Sequence, residues 1–177
     1  LKTIGDYAFR NCDALTSVIF EHIEEIGNYA FYDCNNLRSM GLSLAFTRTI
    51  GNYAFAKCPQ LTALHIPESV TSVGKRIIEG DTGLTHLIID GGQQATSDKY
   101  YVAKADTCAL TALSVGGKVT EISSGAFQNW TCLEEVYLSG NITTIGANAF
   151  SGCTNVTSVL TLPEGLTSIG ASAFTNC

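Results

Sequence analysis

Seven cysteines, three histidines and three Asn-x-Thr triplets carry the chemistry this chain could do. Cys12, Cys34, Cys58, Cys153 and Cys177 are spaced by 22 and 24 residues before a long gap, and by 24 after it. A short extracellular chain with this many cysteines usually suggests disulfides. The regular spacing argues instead that all five occupy one position of a repeat. There a thiol acts as a small core filler, and a buried thiol is inert as a nucleophile. Cys108 and Cys132 fall off this spacing. A disulfide between those two stays open beside the free-thiol reading. No Cys-x-x-Cys pair occurs, and no histidine stands at ligand spacing to a cysteine, so no metal or cofactor is expected. His65 and His86 fall on neighbouring repeats, but a metal site there would lack a third ligand. Enzyme triads need a nucleophile beside a histidine, and the in-register cysteines are expected to be buried. The chain is therefore not expected to be an enzyme. The triplets beginning at Asn129, Asn141 and Asn155 match the N-glycosylation pattern, at a frequency that chance alone supplies in a chain rich in Asn, Ser and Thr.

The elements that position these residues come from a repeat. Ile4-Gly5-Asp6-Tyr7-Ala8-Phe9 returns at Ile26, Ile50, Ile145 and Ile169, and in worn form at Val73 and Ile122. The unit reads Ile-Gly-x-x-Ala-Phe-x-x-Cys-x-x-Leu-x-x-h-x-h, with h apolar. Its last part alternates, as in Leu61, Leu64 and Ile66, or Leu133, Val136 and Leu138. Alternation predicts a short strand. The Ala-Phe-x-x-Cys part has a spacing of three to four, which predicts a helical or 3-10 turn. The glycine after the isoleucine is read as a bend without a Cβ penalty. One such unit cannot bury its apolar side alone, but stacked units can. The expectation is one solenoid over residues 1–177, of about eight coils, degenerate between 77 and 132. Leu15, Leu37, Leu61, Leu84, Leu110, Leu133 and Val156 should stack in one buried column. Phe9, Phe31, Phe55, Phe127, Phe150 and Phe174 should form a second column opposite. Residues 91–105 follow no repeat, and a bulging loop held by Tyr100, Tyr101 and Val102 is expected there. Leu1 and Cys177 both cut a unit in the middle. The chain is therefore expected to be a piece of a longer protein, with uncapped apolar coils open to end-to-end contacts.

The unit resembles the BspA-type leucine-rich repeat. The Ile-Gly-x-x-Ala-Phe-x-x-Cys-x-x-Leu blocks beginning at Ile4, Ile26, Ile50 and Ile145 carry the resemblance. It weakens between Val73 and Leu133, where Ile77-Ile78 replaces Ala-Phe and Asp81 and Trp130 replace Cys. The resemblance implies an α/β leucine-rich-repeat solenoid, with a single parallel sheet and short helical or 3-10 turns on the opposite side. It further implies an extracellular, cell-surface or secreted protein that binds host matrix proteins, glycans or other cells. It brings no catalytic residues.

The exposed face can be read from the strands. Alternation sends the residue between the two h positions outward, giving a column of Ile19, Gly41, His65, Ile88, Ser114, Tyr137 and Leu160. The outward column before it runs through His86 and Glu135. The candidate binding residues on the concave sheet are Ile19, His65, His86, Ile88, Glu135, Tyr137 and Leu160. Large apolar and aromatic side chains facing solvent tend to mark interaction sites. The alternative is a passive spacer presenting another domain, whose sheet carries β-branched and aromatic residues simply because sheets favour them. Composition narrows the partners. The chain is 45% hydrophobic, only 15% charged, and has a net charge of −6. An acidic surface repels phosphate backbones, so nucleic acid is not an expected partner. No apolar run approaches the roughly 20 residues that span a bilayer.

Overall fold

The computed structural model describes residues 1–40, 44–92, 94–95, 99–100 and 109–177. Fourteen short strands lie among them. The first seven are β1 (Thr3–Ile4), β2 (Ser17–Val18), β3 (Glu25–Ile26), β4 (Ser39–Met40), β5 (Thr49–Ile50), β6 (Ala63–Ile66) and β7 (Ser72–Val73). The others are β8 (His86–Ile89), β9 (Gln94–Ala95), β10 (Ala112–Val115), β11 (Glu121–Ile122), β12 (Glu135–Leu138), β13 (Thr144–Ile145) and β14 (Ser168–Ile169). Every pairing is parallel.

The strands occupy two places in the repeat, which corrects the expectation of a single sheet. The alternating Leu-x-x-h-x-h segments form β6–β8–β10–β12 and the smaller β2–β4 pair. The Ile-Gly segments form a second set, β1–β3–β5–β7 and β9–β11–β13–β14. Each Ile-Gly strand is only two residues long, too short for alternation to reveal it.

The helical turns expected across the core are absent from the described residues, save one 3-10 turn at Leu44–Phe46. Two backbone positions in each unit explain this. The fourth residue, counted from the isoleucine, has positive φ at Tyr7, Tyr29, Tyr53, Arg76, Gly125, Asn148 and Ser172. The eighth has positive φ at Asn11, Asp33, Lys57, Gly80, Asn129, Gly152 and Asn176. A left-handed residue every fourth position interrupts the right-handed run an α-helix needs. Backbone bonds then run along the solenoid instead of along a helix. Tyr7 N donates to Asn28 O, Phe9 N to Ala30 O and Asn11 N to Tyr32 O, all within 2.8–2.9 Å.

The glycine after each isoleucine has a different role from the predicted bend. Gly27, Gly51 and Gly74 do not have positive φ. A Cβ on Gly51 would lie 2.5 Å from Asn28 N, and one on Gly74 2.4 Å from Asn52 N. The glycine lets one coil settle on the backbone of the coil before it. Gly5, in the first coil, has nothing within 4 Å.

The core lies between the faces. Leu37, Leu61, Leu84, Leu110 and Leu133 are buried, as are Phe31, Phe55, Phe127 and Phe150. Phe9 stacks on Phe31 at 5.1 Å and Phe150 on Phe174 at 5.2 Å. The end-coil members Phe9, Leu15, Val156 and Phe174 are only partly buried. Phe31 is fully buried, as expected.

The bulge expected over 91–105 is corrected where that segment is described. Gln94 and Ala95 pair with Glu121 and Ile122, so Ala95 takes the isoleucine place. Gly91, Gly92 and Ala95 are buried, and Tyr100 is fully buried in the core. Tyr101, Val102 and residues 103–105 lie outside the described residues, as does Cys108, one end of the bridge to Cys132 that the sequence leaves open.

The cysteine ladder is buried in its inner coils, at Cys34, Cys58 and Cys153. Cys12, Cys34, Cys58, Cys153 and Cys177 form no disulfides. The last four of these thiols each donate to the phenylalanine carbonyl of the preceding coil. Cys34 reaches Phe9 O at 3.0 Å, Cys58 Phe31 O at 3.2 Å, Cys153 Phe127 O at 3.2 Å and Cys177 Phe150 O at 3.1 Å. This role could not be read from spacing. The ladder cysteine is a filler that also brings a second donor to a carbonyl: Phe9 O, Phe127 O and Phe150 O already accept from Cys12 N, Trp130 N and Cys153 N. A hydrogen bond with Cys34 and burial push the Cys58 thiol far above the ordinary range, and burial pushes Cys153 up to about 12.

Candidate binding face

The four longer strands place the predicted residues. On β6, β8, β10 and β12 the buried and exposed residues alternate. Leu64, Ile66, Leu87, Ile89, Leu113, Val115, Val136 and Leu138 face the core. The pairing register then lines up His65, Ile88, Ser114 and Tyr137 in one outward column. Ala63, His86, Ala112 and Glu135 form the neighbouring one. Five of the seven named residues therefore share one face: His65, His86, Ile88, Glu135 and Tyr137.

Tyr137 is 55% exposed and Ile88 39%. Ser114 sits between them and leaves a shallow gap in the column. The polar groups are arranged around this apolar pair. Tyr137 donates its hydroxyl to Glu135 Oε2 at 3.2 Å. That bond raises the tyrosine's pKa, because ionising it would set two negative charges together. His65 Nε2 lies 2.9 Å from Asp90 Oδ2, and His86 Nδ1 lies 2.8 Å from Thr85 Oγ1. The two imidazoles thus turn to separate partners. Among the described residues no group of three His, Cys, Asp or Glu side chains could hold a metal ion.

Two named residues stand apart. Ile19 is 78% exposed but follows β2, in a ladder separate from β6–β12. Gly41, between them in the expected column, lies outside the described residues. Leu160 is a correction: it is partly buried against the core, not outward. It lines an apolar cavity of about 160 Å³ with Val136, Phe150, Val156, Phe174 and Cys177. The cause is local. Ser158 Oγ accepts the proton of Val136 N at 3.1 Å, in the place of a ladder carbonyl. The strand stops there and the alternation slips by one. Val159, expected inside, is 89% exposed.

Sequence reasoning missed a second aromatic group, on the turn side, exposed at Tyr7 and half-buried at Tyr29 and Tyr53. Tyr7 stacks on Tyr29 at 5.2 Å and Tyr29 on Tyr53 at 4.8 Å, with planes within 9°. Next to them runs a ladder of side-chain oxygens, a carboxylate followed by two amides. Asp6 Oδ1 accepts from Asn28 N at 2.6 Å, Asn28 Oδ1 from Asn52 N at 2.9 Å, and Asn52 Oδ1 from Lys75 N at 2.8 Å. The tetrapeptide Ile-Gly-Asp/Asn-Tyr carried both signals. It was read only as a mark of the repeat.

Parallel coils, a phenylalanine column, a leucine column and a ladder of short strands define a leucine-rich-repeat solenoid. The BspA type Leucine rich repeat region matches residues 1–104 and 49–177, in six copies. The chain belongs to that family. Its fold is similar to a leucine-rich repeat protein from Eubacterium ventriosum, with a TM-score of 0.73 and 21% identity over 92% of this chain. The chain spans 43% of that protein's chain. A Leucine Rich Repeat protein of T. pallidum is similar at a TM-score of 0.63 and 22% identity, covering 94% of this chain and 80% of the other. None of the curated proteins matches in sequence. Among the described residues no helix is long and apolar enough to cross a membrane.

Proposed function

We propose that this chain is an extracellular, cell-surface binding module that docks a protein or glycan surface on the β6–β8–β10–β12 face. The observation that carries the reading is the in-register column His65, Ile88, Ser114 and Tyr137, with its two large side chains facing solvent. The fold does not need them there, because the same strands bury their other residues on the core side. An open sheet offers area and not an enclosed cavity, so the partner is a macromolecular surface on a host or neighbouring cell. Tyr137 is the anchor. Its ring removes apolar area from water while its hydroxyl keeps a polar bond, a combination common at hot spots. Family membership supports the surface location and the absence of catalysis.

The experiment is binding of the 177-residue chain to immobilised matrix proteins and to host-cell surfaces. Tyr137→Ala should weaken binding by about 1–3 kcal/mol, with little change in melting temperature. Wild type that binds none of these surfaces, with Tyr137→Ala indistinguishable from it, would favour a spacer.

A further inference from the structure

We infer that the β6–β8–β10–β12 face takes a protein partner through one of that partner's lysine or arginine side chains, laid in a slot across β10. The inference rests on the reading of this face as a binding surface and names the chemistry of the partner. The slot comes from side-chain size. β10 lies between β8 and β12, with Ala112 beside His86 and Glu135, and Ser114 beside Ile88 and Tyr137. His86, Ile88, Glu135 and Tyr137 are exposed, while Ala112 and Ser114 are half-buried. Paired strands lie ~4.8 Å apart, so the two walls stand roughly 10 Å apart. Between them the place of one large side chain is left open, and a partner's side chain fits there.

Chemistry selects that side chain. One wall carries Ile88 and the other the Tyr137 ring, which suits an apolar stem such as lysine and arginine possess. The Glu135 carboxylate stands at the ring. Its Oε2 accepts from the Tyr137 hydroxyl at 3.2 Å, which holds the two groups together, and its Oε1 has no partner among the described residues. A cation gains both from a tyrosine ring and from a carboxylate. The neighbouring carboxylates add to this. Glu134 is exposed next to Glu135, and Asp90 follows β8 with its Oδ2 on His65 Nε2. β6, β8, β10 and β12 contain no lysine or arginine. The nearest in sequence to β10 is Lys118, in the turn beyond it. The face is therefore complementary to a basic protein surface, and a neutral or acidic glycan would bring no cation to Glu135.

The test is titration of the 177-residue chain with an oligolysine peptide, with polyglutamate and with dextran, at roughly 0.15 M salt. Oligolysine should bind, and polyglutamate and dextran at least tenfold more weakly. Ser114→Phe fills the slot without changing any charge, and should lose at least tenfold in affinity for oligolysine. Glu135→Gln keeps an acceptor for the Tyr137 hydroxyl, and should lose at least fivefold. Glu21→Gln removes the same charge from an exposed bend outside the face, and should keep wild-type affinity. Melting temperatures should not fall in any of the three. Wild-type affinity in Ser114→Phe or Glu135→Gln overturns the proposal. So does an equal loss in Glu21→Gln, dextran binding as tightly as oligolysine, or no binding of oligolysine. Binding to matrix proteins separates this inference from the reading beneath it. If Tyr137→Ala weakens that binding and Glu135→Gln does not, the face binds but not through a cation. If neither weakens it, the face itself is not the site.

Discussion

Gly51 shows how one atom sets the coil spacing. Its φ is ordinary, and the approach of Asn28 N and Gly27 C, each 2.5 Å from a would-be Cβ, excludes a larger residue. The contact is with backbone, which cannot swing aside as a side chain can. Gly51→Ala should therefore destabilise the chain by about 1–3 kcal/mol, read by urea unfolding. Gly5→Ala, with open space around it, should leave the midpoint unchanged. Equal effects at the two positions would mean the coils are not seated as described. The ladder thiols make the second residue-scale prediction. Cys34 and Cys153 are fully buried and donate to carbonyls. In native protein a thiol reagent should label Cys177 first, because it alone among the ladder cysteines is exposed. Cys34 and Cys153 should react only after denaturation. Rapid labelling of Cys34 in native protein would overturn the ladder geometry.

Among elements, the coil from Val73 to Leu84 departs from the repeat at a buried position. Asp81 stands where other coils place cysteine. It is buried, with Oδ1 accepting from Cys58 N at 2.7 Å and Oδ2 without a partner among the described residues. Burial holds its carboxyl well above the usual carboxylate range, and the Cys58 thiol is the titratable group against it. The unfolded value is about 3.9. A group raised on folding gives stability that is complete below the unfolded pKa and is lost as pH rises through the folded one. Wild-type stability should therefore decline as pH increases above about 4. Asp81→Asn keeps the acceptor for Cys58 N and cannot ionise, so its decline should be shallower. Urea midpoints measured across pH 4–8 check this, and parallel profiles for the two proteins would refute a neutral Asp81. The element scale also shows where the sequence was readable. The leucine column was legible because its period survives the worn copies at Leu84 and Leu110, and the phenylalanine column because its period holds in the coils on either side of them. The turn segment was not, because a spacing of three to four fits a helix and a left-handed turn equally. Asn11, Asp33 and Gly80 at the eighth position were a turn signal, whereas tyrosine at the fourth position hid one. The slip at Leu160 was hidden because Val156-x-x-Val159 keeps the period until Ser158 breaks the ladder. His65, Ile88 and Tyr137 were legible as a column because their strands are long enough to alternate.

At the scale of the whole molecule, the two sets of ladders are interrupted at different places. The Ile-Gly ladder divides between β7 and β9, into a set before Gly74 and a set from Gln94 onward. The longer strands β6–β8–β10–β12 run unbroken from Ala63 to Leu138, across that division. In a solenoid each coil is stabilised by its neighbours, and stability is close to a sum of nearest-neighbour terms. The continuous sheet is then the longest ladder coupling the two ends, beside single bonds such as Gly92 N to Val70 O at 2.8 Å and Ile77 N to Lys99 O at 3.0 Å, and β8 is the strand nearest the division. Leu87 lies in it, buried between Leu64 and Leu113 in the register. Leu87→Ala should cost about 2–5 kcal/mol, and it should do more than shift one transition. With the bridging strand weakened, the amides of Ile26 and Ile50 should exchange hydrogen at a rate different from that of Ile145, where wild type shows one common rate. Leu133→Ala removes an equally buried leucine away from the division, and there the two ends should stay coupled. Native-state hydrogen exchange at low urea separates the cases. Loss of coupling in both variants, or in neither, would show that the continuous sheet is not the element joining the halves.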